Sequence, residues 1–276
     1  MFCLLLFMNK IAWVTDIHLD RLLERDYQEY KEYLQELNPD CLLISGDIAE
    51  GEFVCKALKD FNVSLDFPIY FVLGNHDFYF NSFAETEKNV RDLVEKSASL
   101  CWISEKGIVK FNDSTALIGV EGWGDGRNGT LNLSEASSRD VLSIADYKGL
   151  TREEIGELLR TKGDKYAEML RPFLLEAVEN YKNVVLVTHV PPFVEACFDR
   201  SLRIIGEFKQ PFYTCKAIGD MLLEAMSANP ECRMTVLCGH THETADVKIL
   251  ENLRVRVKES GYGSWWDATM IDLDKL

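Results

Sequence analysis

The chain has 276 residues, of which 47% are hydrophobic and 27% are charged, and its formal net charge is −15. Length and composition of this kind indicate a soluble globular protein with a sizeable core. The acidic balance repels nucleic acid and anionic membranes on average, so we expect neither as a partner.

The N-terminal residues and the cysteines bear on processing and location. Residues 1–8 are apolar but too short to span a membrane, and they lack the features of a signal peptide. We expect Met8 to be the natural start, with a buried first strand as the alternative. Eight cysteines without a Cys-x-x-Cys pair predict reduced, buried thiols and a cytoplasmic location.

The first third of the chain alternates predicted strands and helices, which favours parallel βαβ units. Strands are predicted over 10–15, 41–45 and 69–73, and helices over 22–37, 52–61 and 82–96. Ser82 is a plausible N-cap of the third helix, because its hydroxyl can accept a backbone hydrogen bond.

The rest of the chain carries a predicted insertion between further strands. Residues 121–138 are rich in Gly, Asn and Ser and predict a long loop, and Thr151 with Glu154 predicts a capping box for a helix that breaks near Gly163. Further strands are predicted over 108–111, 116–120, 184–188 and 234–238, a helix over 215–228, and two or three strands over 245–273. We predict one domain over 1–276, with 121–182 as an elaboration at one end.

All five histidines lie in one ordered set of short polar motifs, and four of the five motifs directly follow a predicted strand. Ligands collect at the carboxyl ends of strands in open α/β sheets, so these loops can converge on one metal site. Taken singly, each motif also fits a turn, a helix cap or a buried histidine. The motifs are Asp16-Ile17-His18, Gly46-Asp47, Gly74-Asn75-His76-Asp77, Thr188-His189 and Gly239-His240-Thr241-His242.

This ordered pattern resembles that of the calcineurin-like metallophosphoesterase superfamily, and the resemblance extends from residue 16 to residue 242. It implies an α/β fold of four layers, an α-β-β-α sandwich of two mixed β-sheets, with two divalent metal ions at one edge. By the same resemblance, one ion is held by Asp16, His18 and His242, the other by Asn75, His189 and His240, with Asp47 between them. The resemblance also keeps His76 off the metals as a catalytic side chain with Asp77 beside it. Asp77 is placed to orient the ring, although an adjacent residue can also point elsewhere.

The implied activity is hydrolysis of small phosphomonoesters or phosphodiesters, by a phosphatase or phosphodiesterase. A hydroxide between the two metals acts as the nucleophile, and His76 donates to a phosphoryl oxygen or to the leaving group. Mn, Fe and Zn all suit these ligands. Glu50 stands where purple acid phosphatases of the superfamily carry a tyrosine ligand, so we expect no tyrosine–iron centre.

Candidate substrate contacts come from the loops around the motifs. Arg127 and Asn128 in the glycine-rich loop and Arg200 after His189 are the main candidates, because arginine can bind phosphate with two hydrogen bonds. A solvated surface charge is the alternative for each. Further candidates are Trp123, Asp125, Phe193 and Arg203, whereas Trp265 and Trp266 are expected to pack against the core.

Two other functions fit the same motifs. One is a nuclease subunit, which the acidic charge disfavours unless a partner supplies the binding surface. The other is a non-catalytic scaffold of the same fold, as in a retromer subunit that lacks the catalytic histidine. His76 is present in this chain, which favours an enzyme.

Overall fold

The structure, a computed structural model, describes residues 9–132, 139–263, 265 and 267–273. The expectations about residues 1–8, including the start at Met8, lie outside the described residues, as do Cys3 and Trp266. The seven described cysteines are unpaired, as predicted. In the described part of the chain, no helix combines the length and apolar character needed to cross a membrane.

The first sheet has the strand order β11-β1-β2-β3-β4. Strands β1 to β4 pair in parallel, whereas β11 pairs antiparallel to β1, so the sheet is mixed. Its strands are β1 (Lys10–Val14), β2 (Cys41–Ser45), β3 (Ile69–Val72), β4 (Leu100–Trp102) and β11 (Thr269–Asp272). The helices between them are α1 (Glu24–Leu37), α2 (Phe53–Ser64) and α3 (Phe83–Val94).

The second sheet has the order β5-β6-β7-β8-β10-β9, with parallel pairing from β6 to β10 and antiparallel pairs at both edges. Its strands are β5 (Val109–Lys110), β6 (Thr115–Gly119), β7 (Asn183–Val187), β8 (Arg233–Cys238), β9 (Ala245–Leu250) and β10 (Leu253–Val257). The accompanying helices are α4 (Ile103–Lys106), α5 (Arg139–Ser143), α6 (Arg152–Asn180), α7 (Gln210–Tyr213) and α8 (Lys216–Ala228).

The two sheets pack face to face because alternate residues of each strand point to opposite sides. Trp13 and Leu43 of the first sheet share a buried cluster with Leu117 and Leu237 of the second. Their neighbours along the strands, such as Leu42, belong to a second buried cluster that includes residues of the helices. This arrangement confirms the predicted α/β fold with two mixed sheets between helices.

Hydrogen bonds at the N-termini of two helices confirm their predicted starts. The Ser82 hydroxyl accepts from the backbone N–H of Glu85, and Thr151 and Glu154 form the predicted capping box. The predicted break near Gly163 is wrong, since α6 runs for 29 residues. Gly163 serves a close approach instead: a Cβ there would overlap the Cβ of Asp125. The single domain over 1–276 stays a prediction.

Candidate metal centre

The five polar motifs all lie just beyond the carboxyl ends of strands. Asp16 follows β1, Asp47 follows β2, Asn75 follows β3, His189 follows β7 and His240 follows β8. The first three strands belong to one sheet and the last two to the other. The site therefore spans the edge at which the two sheets meet.

The backbone at this edge is strained. Five of the predicted ligands adopt left-handed conformations with positive φ, which costs a non-glycine residue about 1–2 kcal/mol. The surrounding fold must hold these residues in place, because the free chain avoids this conformation. The residues and angles are Asp16 (φ 47°), His18 (40°), Asp47 (52°), His240 (72°) and His242 (61°).

Two motif glycines give the ligands room. A Cβ at Gly74 would overlap Oδ1 of Asp47, and a Cβ at Gly239 would overlap Oδ2 of Asp16. The backbone of one loop thus lies directly against the carboxylate of another. These contacts explain why both motifs require glycine.

Asp16, His18 and His242 form a first cluster together with Asp47. One ligand atom from each lies within 4.8 Å of the others, and the four can hold a metal ion. His242 Nε2 lies 3.1 Å from Asp16 Oδ1, and the backbone N–H of His240 donates to both Asp16 oxygens at 3.1 Å. Although burial works in the opposite direction, the neighbouring His242 holds the pKa of Asp16 well below its usual range.

His18 shows an unmet bonding capacity in this cluster. Both ring nitrogens are buried and have no hydrogen-bond partner among the described residues. Burial lowers the pKa of His18 to about 3, so the ring is neutral and one nitrogen carries a free lone pair. A buried lone pair beside two carboxylates fits a metal ion, which would replace the lost hydrogen bond.

Asn75, His189 and His240 form a second cluster, in which acceptors face acceptors. His189 Nδ1 donates to the carbonyl of Ser45 at 2.9 Å, and His240 Nε2 donates to the carbonyl of Phe212 at 3.1 Å. Burial lowers the pKa of both rings, that of His240 to about 3. Each neutral ring therefore presents its other nitrogen without a proton.

These two proton-free nitrogens point at the same oxygen. His189 Nε2 lies 3.0 Å and His240 Nδ1 lies 2.9 Å from Asn75 Oδ1, and His189 Nε2 is also 3.4 Å from Asp47 Oδ1. Three acceptors, the two ring nitrogens and the amide oxygen, thus converge with no proton between them, and the Asp47 carboxyl lies beside them. Such a set repels itself unless a cation lies among the acceptors, so these residues fit a second metal ion.

Asp140 fixes the orientation of the Asn75 amide. The Asn75 Nδ2 group donates to Asp140 Oδ1 at 2.8 Å, and the Tyr79 hydroxyl donates to the same oxygen at 2.6 Å. With the nitrogen held there, the amide oxygen must face His189 and His240. Sequence reasoning missed Asp140, which reaches the site from helix α5, 65 residues along the chain.

Asp47 lies between the two clusters, as the resemblance implies. Its Oδ2 is 3.8 Å from His18 Nε2, while its Oδ1 is 3.4 Å from His189 Nε2. Burial raises the pKa of Asp47 well above its usual range, and the negative charges of Asp16 and Asp77 add to the effect. A buried concentration of carboxylates of this kind calls for positive charge, which bound cations supply.

His76 lies beside Asp47 at the edge of the clusters. Its Nε2 is 3.9 Å from Asp47 Oδ2 and 3.4 Å from the Tyr262 hydroxyl, and its Nδ1 is 3.3 Å from Glu50 Oε1. Burial lowers the pKa of His76, and the nearby His18 adds to the effect. Glu50, noted in the sequence only as a replacement for tyrosine, is therefore the carboxylate beside the ring.

The predicted contact between Asp77 and His76 is wrong. The buried carboxylate of Asp77 accepts hydrogen bonds from the backbone N–H groups of Ile48, Ala49 and Gly74, at 2.7–3.0 Å. An adjacent residue in the short helical turn His76–Phe78 points in another direction, toward the loop after β2. Asp77 thus joins two ligand loops and does not orient the histidine.

Arg127 and Asn128, which are predicted to contact substrate, are bonded to other protein groups. Arg127 pairs with Asp125 at 3.1 Å and Asp164 at 2.7 Å, and the amide of Asn128 donates to Thr214 Oγ1 at 3.0 Å. These bonds tie the loop that carries them to α6 and to Thr214, the residue that follows α7.

The other candidates divide between the core and the surface. Arg200 lines the site cavity with a side chain that is 98% exposed, 4.0 Å from Glu243. Arg203 bonds to its neighbour Ser201 on the surface. Trp123, Asp125 and Phe193 are buried in the core, and Trp265 stacks on Tyr30 and Tyr33 as expected.

A cavity of about 510 Å³ opens onto the two clusters. Asp47, His76, His240 and His242 line it, together with several residues between 198 and 213. Apolar groups among the latter include Phe198 and Ile205. The cavity is large enough for a small organic molecule to reach the predicted ligands.

A family model described as calcineurin-like phosphoesterase matches residues 9–244 of the chain. No curated protein matches the sequence at a significant level. A solved phosphopantetheinyl hydrolase from Mycobacterium tuberculosis is similar with a TM-score of 0.66 and 17% identity, over 93% of this chain and 90% of that one.

Two further solved structures are similar at lower identity. A dimetal phosphatase from Danio rerio has a TM-score of 0.57 and 11% identity, over 96% of this chain and 99% of that one. The protein TT1561 of Thermus thermophilus has a TM-score of 0.56 and 11% identity, over 97% of this chain and 96% of that one. At these identities the likeness shows a shared fold.

Proposed function

The chain belongs to the calcineurin-like phosphoesterase family, and we propose that it is a dinuclear metal-dependent phosphoesterase. Its proposed substrates are small phosphomonoesters or phosphodiesters, and its proposed metals are two divalent ions of Mn, Fe or Zn. A cytoplasmic location is part of the proposal, supported by the unpaired state of the seven described cysteines.

The convergence of proton-free acceptors supports this proposal most directly. His189 Nε2 and His240 Nδ1 each lie within 3.0 Å of Asn75 Oδ1, and the Asp47 carboxylate extends from there toward His18 of the first cluster. Hydrogen bonding alone gives no reason for this arrangement. Two cations would give every one of these atoms a partner.

The metal ions and the protein supply different parts of the chemistry. Divalent ions in these clusters supply Lewis-acid polarisation of the phosphate and acidify water. The chain supplies binding geometry, through ligands held in strained loops, and a cavity that admits the ester. The positive charge of bound ions would attract an anionic ester to an otherwise acidic protein.

His76 is the proposed proton donor. Burial favours the neutral ring, whereas the Glu50 carboxylate beside Nδ1 favours the protonated form. Nε2 faces the cavity side, next to Asp47, where it can donate to a phosphoryl oxygen or to the leaving oxygen. An approaching phosphate anion favours the same protonated form.

His76→Ala tests this role. We expect the variant to keep two metal ions per chain and to lose turnover of an aryl phosphate by about 10²–10⁴-fold. Asp47→Ala is the matched comparison, because it should lose metal as well as activity. Metal analysis and steady-state kinetics on the same samples measure both effects. Wild-type turnover by His76→Ala would refute the proposed role.

The same samples separate the two alternatives. A nuclease would cleave DNA and bind it with a strong dependence on salt. A scaffold would bind metals but turn over neither aryl phosphate monoesters nor diesters. We expect ester turnover without salt-dependent DNA binding, as the net charge of −15 favours.

A further inference from the structure

Tyr262 lies at the site although it belongs to none of the five motifs. It follows β10 in a Gly-Tyr-Gly segment, beyond the residues 9–244 that match the family model. Its ring centroid is 4.5 Å from that of His18, 5.0 Å from that of His242 and 6.0 Å from that of His76. The ring therefore covers one side of the first cluster.

The Tyr262 hydroxyl is directed at the reactive side of His76. It lies 3.4 Å from His76 Nε2, the nitrogen that also faces Asp47. The other ring nitrogen of His76 is engaged by Glu50, so the neutral ring accepts from Tyr262. The hydroxyl thus occupies the region that a phosphoryl oxygen must enter to reach His76.

Other residues hold the aromatic ring in this position. The Arg21 guanidinium lies over the Tyr262 ring, 4.5 Å from its centroid, and also pairs with Glu50. The contacts therefore link four side chains in a ring, in the order Arg21, Tyr262, His76 and Glu50. The side chain of Tyr262 is nevertheless 50% exposed and lines the cavity, so a ligand can reach the hydroxyl.

We propose that Tyr262 is a substrate-contacting residue, whose hydroxyl donates a hydrogen bond to a phosphoryl oxygen beside His76. The inference rests on the proposed phosphoesterase function. A phenol suits this task because it adds a donor without adding a positive charge beside the metal ions. The C-terminal segment thereby contributes a group to the site that the family match does not cover.

Tyr262→Phe is the decisive variant, because it keeps the ring packing and removes only the hydroxyl. We expect kcat for an aryl phosphate to fall about 10- to 100-fold, the range for one hydrogen bond to a charged group. Metal content should stay at the wild-type level. Loss of metal in Tyr262→Phe would overturn the proposal, because the hydroxyl would then be a ligand.

Tyr33→Phe is the matched control. Its hydroxyl accepts from the backbone N–H of Ala268 and so holds the same C-terminal segment without touching the site. If Tyr262→Phe acted by loosening the segment, Tyr33→Phe would reduce activity to a similar degree. We expect wild-type kinetics from Tyr33→Phe, and an equal loss in both variants would refute direct contact.

Binding of orthophosphate to the metal-loaded proteins provides a second measurement, by calorimetry. We expect Tyr262→Phe to bind phosphate about tenfold more weakly than wild type. If wild type hydrolyses no ester, the proposed function fails, and phosphate binding still tests the contact. Unchanged phosphate affinity and unchanged kcat in Tyr262→Phe would refute the Tyr262 proposal while leaving the phosphoesterase proposal intact.

Discussion

Replacing Asp140 should weaken metal binding at the second cluster selectively. The Asp140 carboxylate holds the Asn75 amide nitrogen at 2.8 Å and so directs the amide oxygen toward His189 and His240. Without it, the amide can turn and donate to those rings, which satisfies them without a metal. A hydrogen bond to a charged group contributes about 1.5–3 kcal/mol, which corresponds to about a 10- to 100-fold change in affinity.

Two substitutions at this position separate orientation from charge. Asp140→Ala and Asp140→Asn lose the same negative charge, but the asparagine oxygen can still accept from Asn75. We expect Asp140→Ala to weaken one of two Mn²⁺ binding steps by about 10- to 100-fold, as outer partners of ligands typically do. Asp140→Asn should show a smaller loss.

Calorimetric titration of metal-free protein with Mn²⁺ measures both steps. Asp164→Ala is the control for removal of an acid elsewhere in the same elaboration, because Asp164 lies on α6 and pairs with Arg127. Circular dichroism at each step reports whether the fold is intact. Equal affinities for Asp140→Ala and Asp140→Asn, or a loss shared by both binding steps, would refute the orientation argument.

Four further results are expected. Loading with Mn²⁺ at 100 times the dissociation constant should raise the free energy of unfolding by about 2.7 kcal/mol per ion, and a chelator should reverse the rise in Tm; no shift would contradict metal binding by the folded chain. Glu50→Ala should lower kcat about tenfold with metal retained, whereas Asp77→Ala should destabilise the fold by about 3 kcal/mol in urea melts, since three backbone N–H groups lose their acceptor. Burial lowers the pKa of Lys162 to about 8, so from pH 8 to about 10.4 the unfolded chain binds more protons and stability rises with pH. Lys162→Met should remove this rise, which amounts to about 3 kcal/mol, and identical pH profiles for variant and wild type would refute the shift.

The sequence predicted those parts of the structure that depend on local signals. Strands such as 41–45 are continuous apolar runs. The motif that directly follows each strand therefore lies at the edge of the sheet. The capping box at Thr151 likewise needs only four residues. These features can be predicted from the sequence because the interacting groups are close together in the chain.

The contacts that complete the site could not be predicted from the sequence in the same way. Asp140 and Tyr262 reach the motifs from 65 and 186 residues away, and no pattern in either segment marks its partner. Arg127 is predicted from the sequence to contact substrate. The sequence does not reveal its pairing with Asp164, because the two residues are 37 positions apart and meet only in the folded structure. Helix α6 continues through Gly163 for a similar reason. The glycine allows a close tertiary contact with Asp125, which the sequence does not show.

The left-handed backbone conformations of the predicted ligands also affect how the sequence can evolve. Residues such as Asp16 and Asp47 hold conformations that glycine would adopt at lower cost. A descendant released from selection for metal binding could therefore gain stability by losing its ligands one at a time. The strain at these five positions is a stability cost that binding of metal ions to the folded chain would offset.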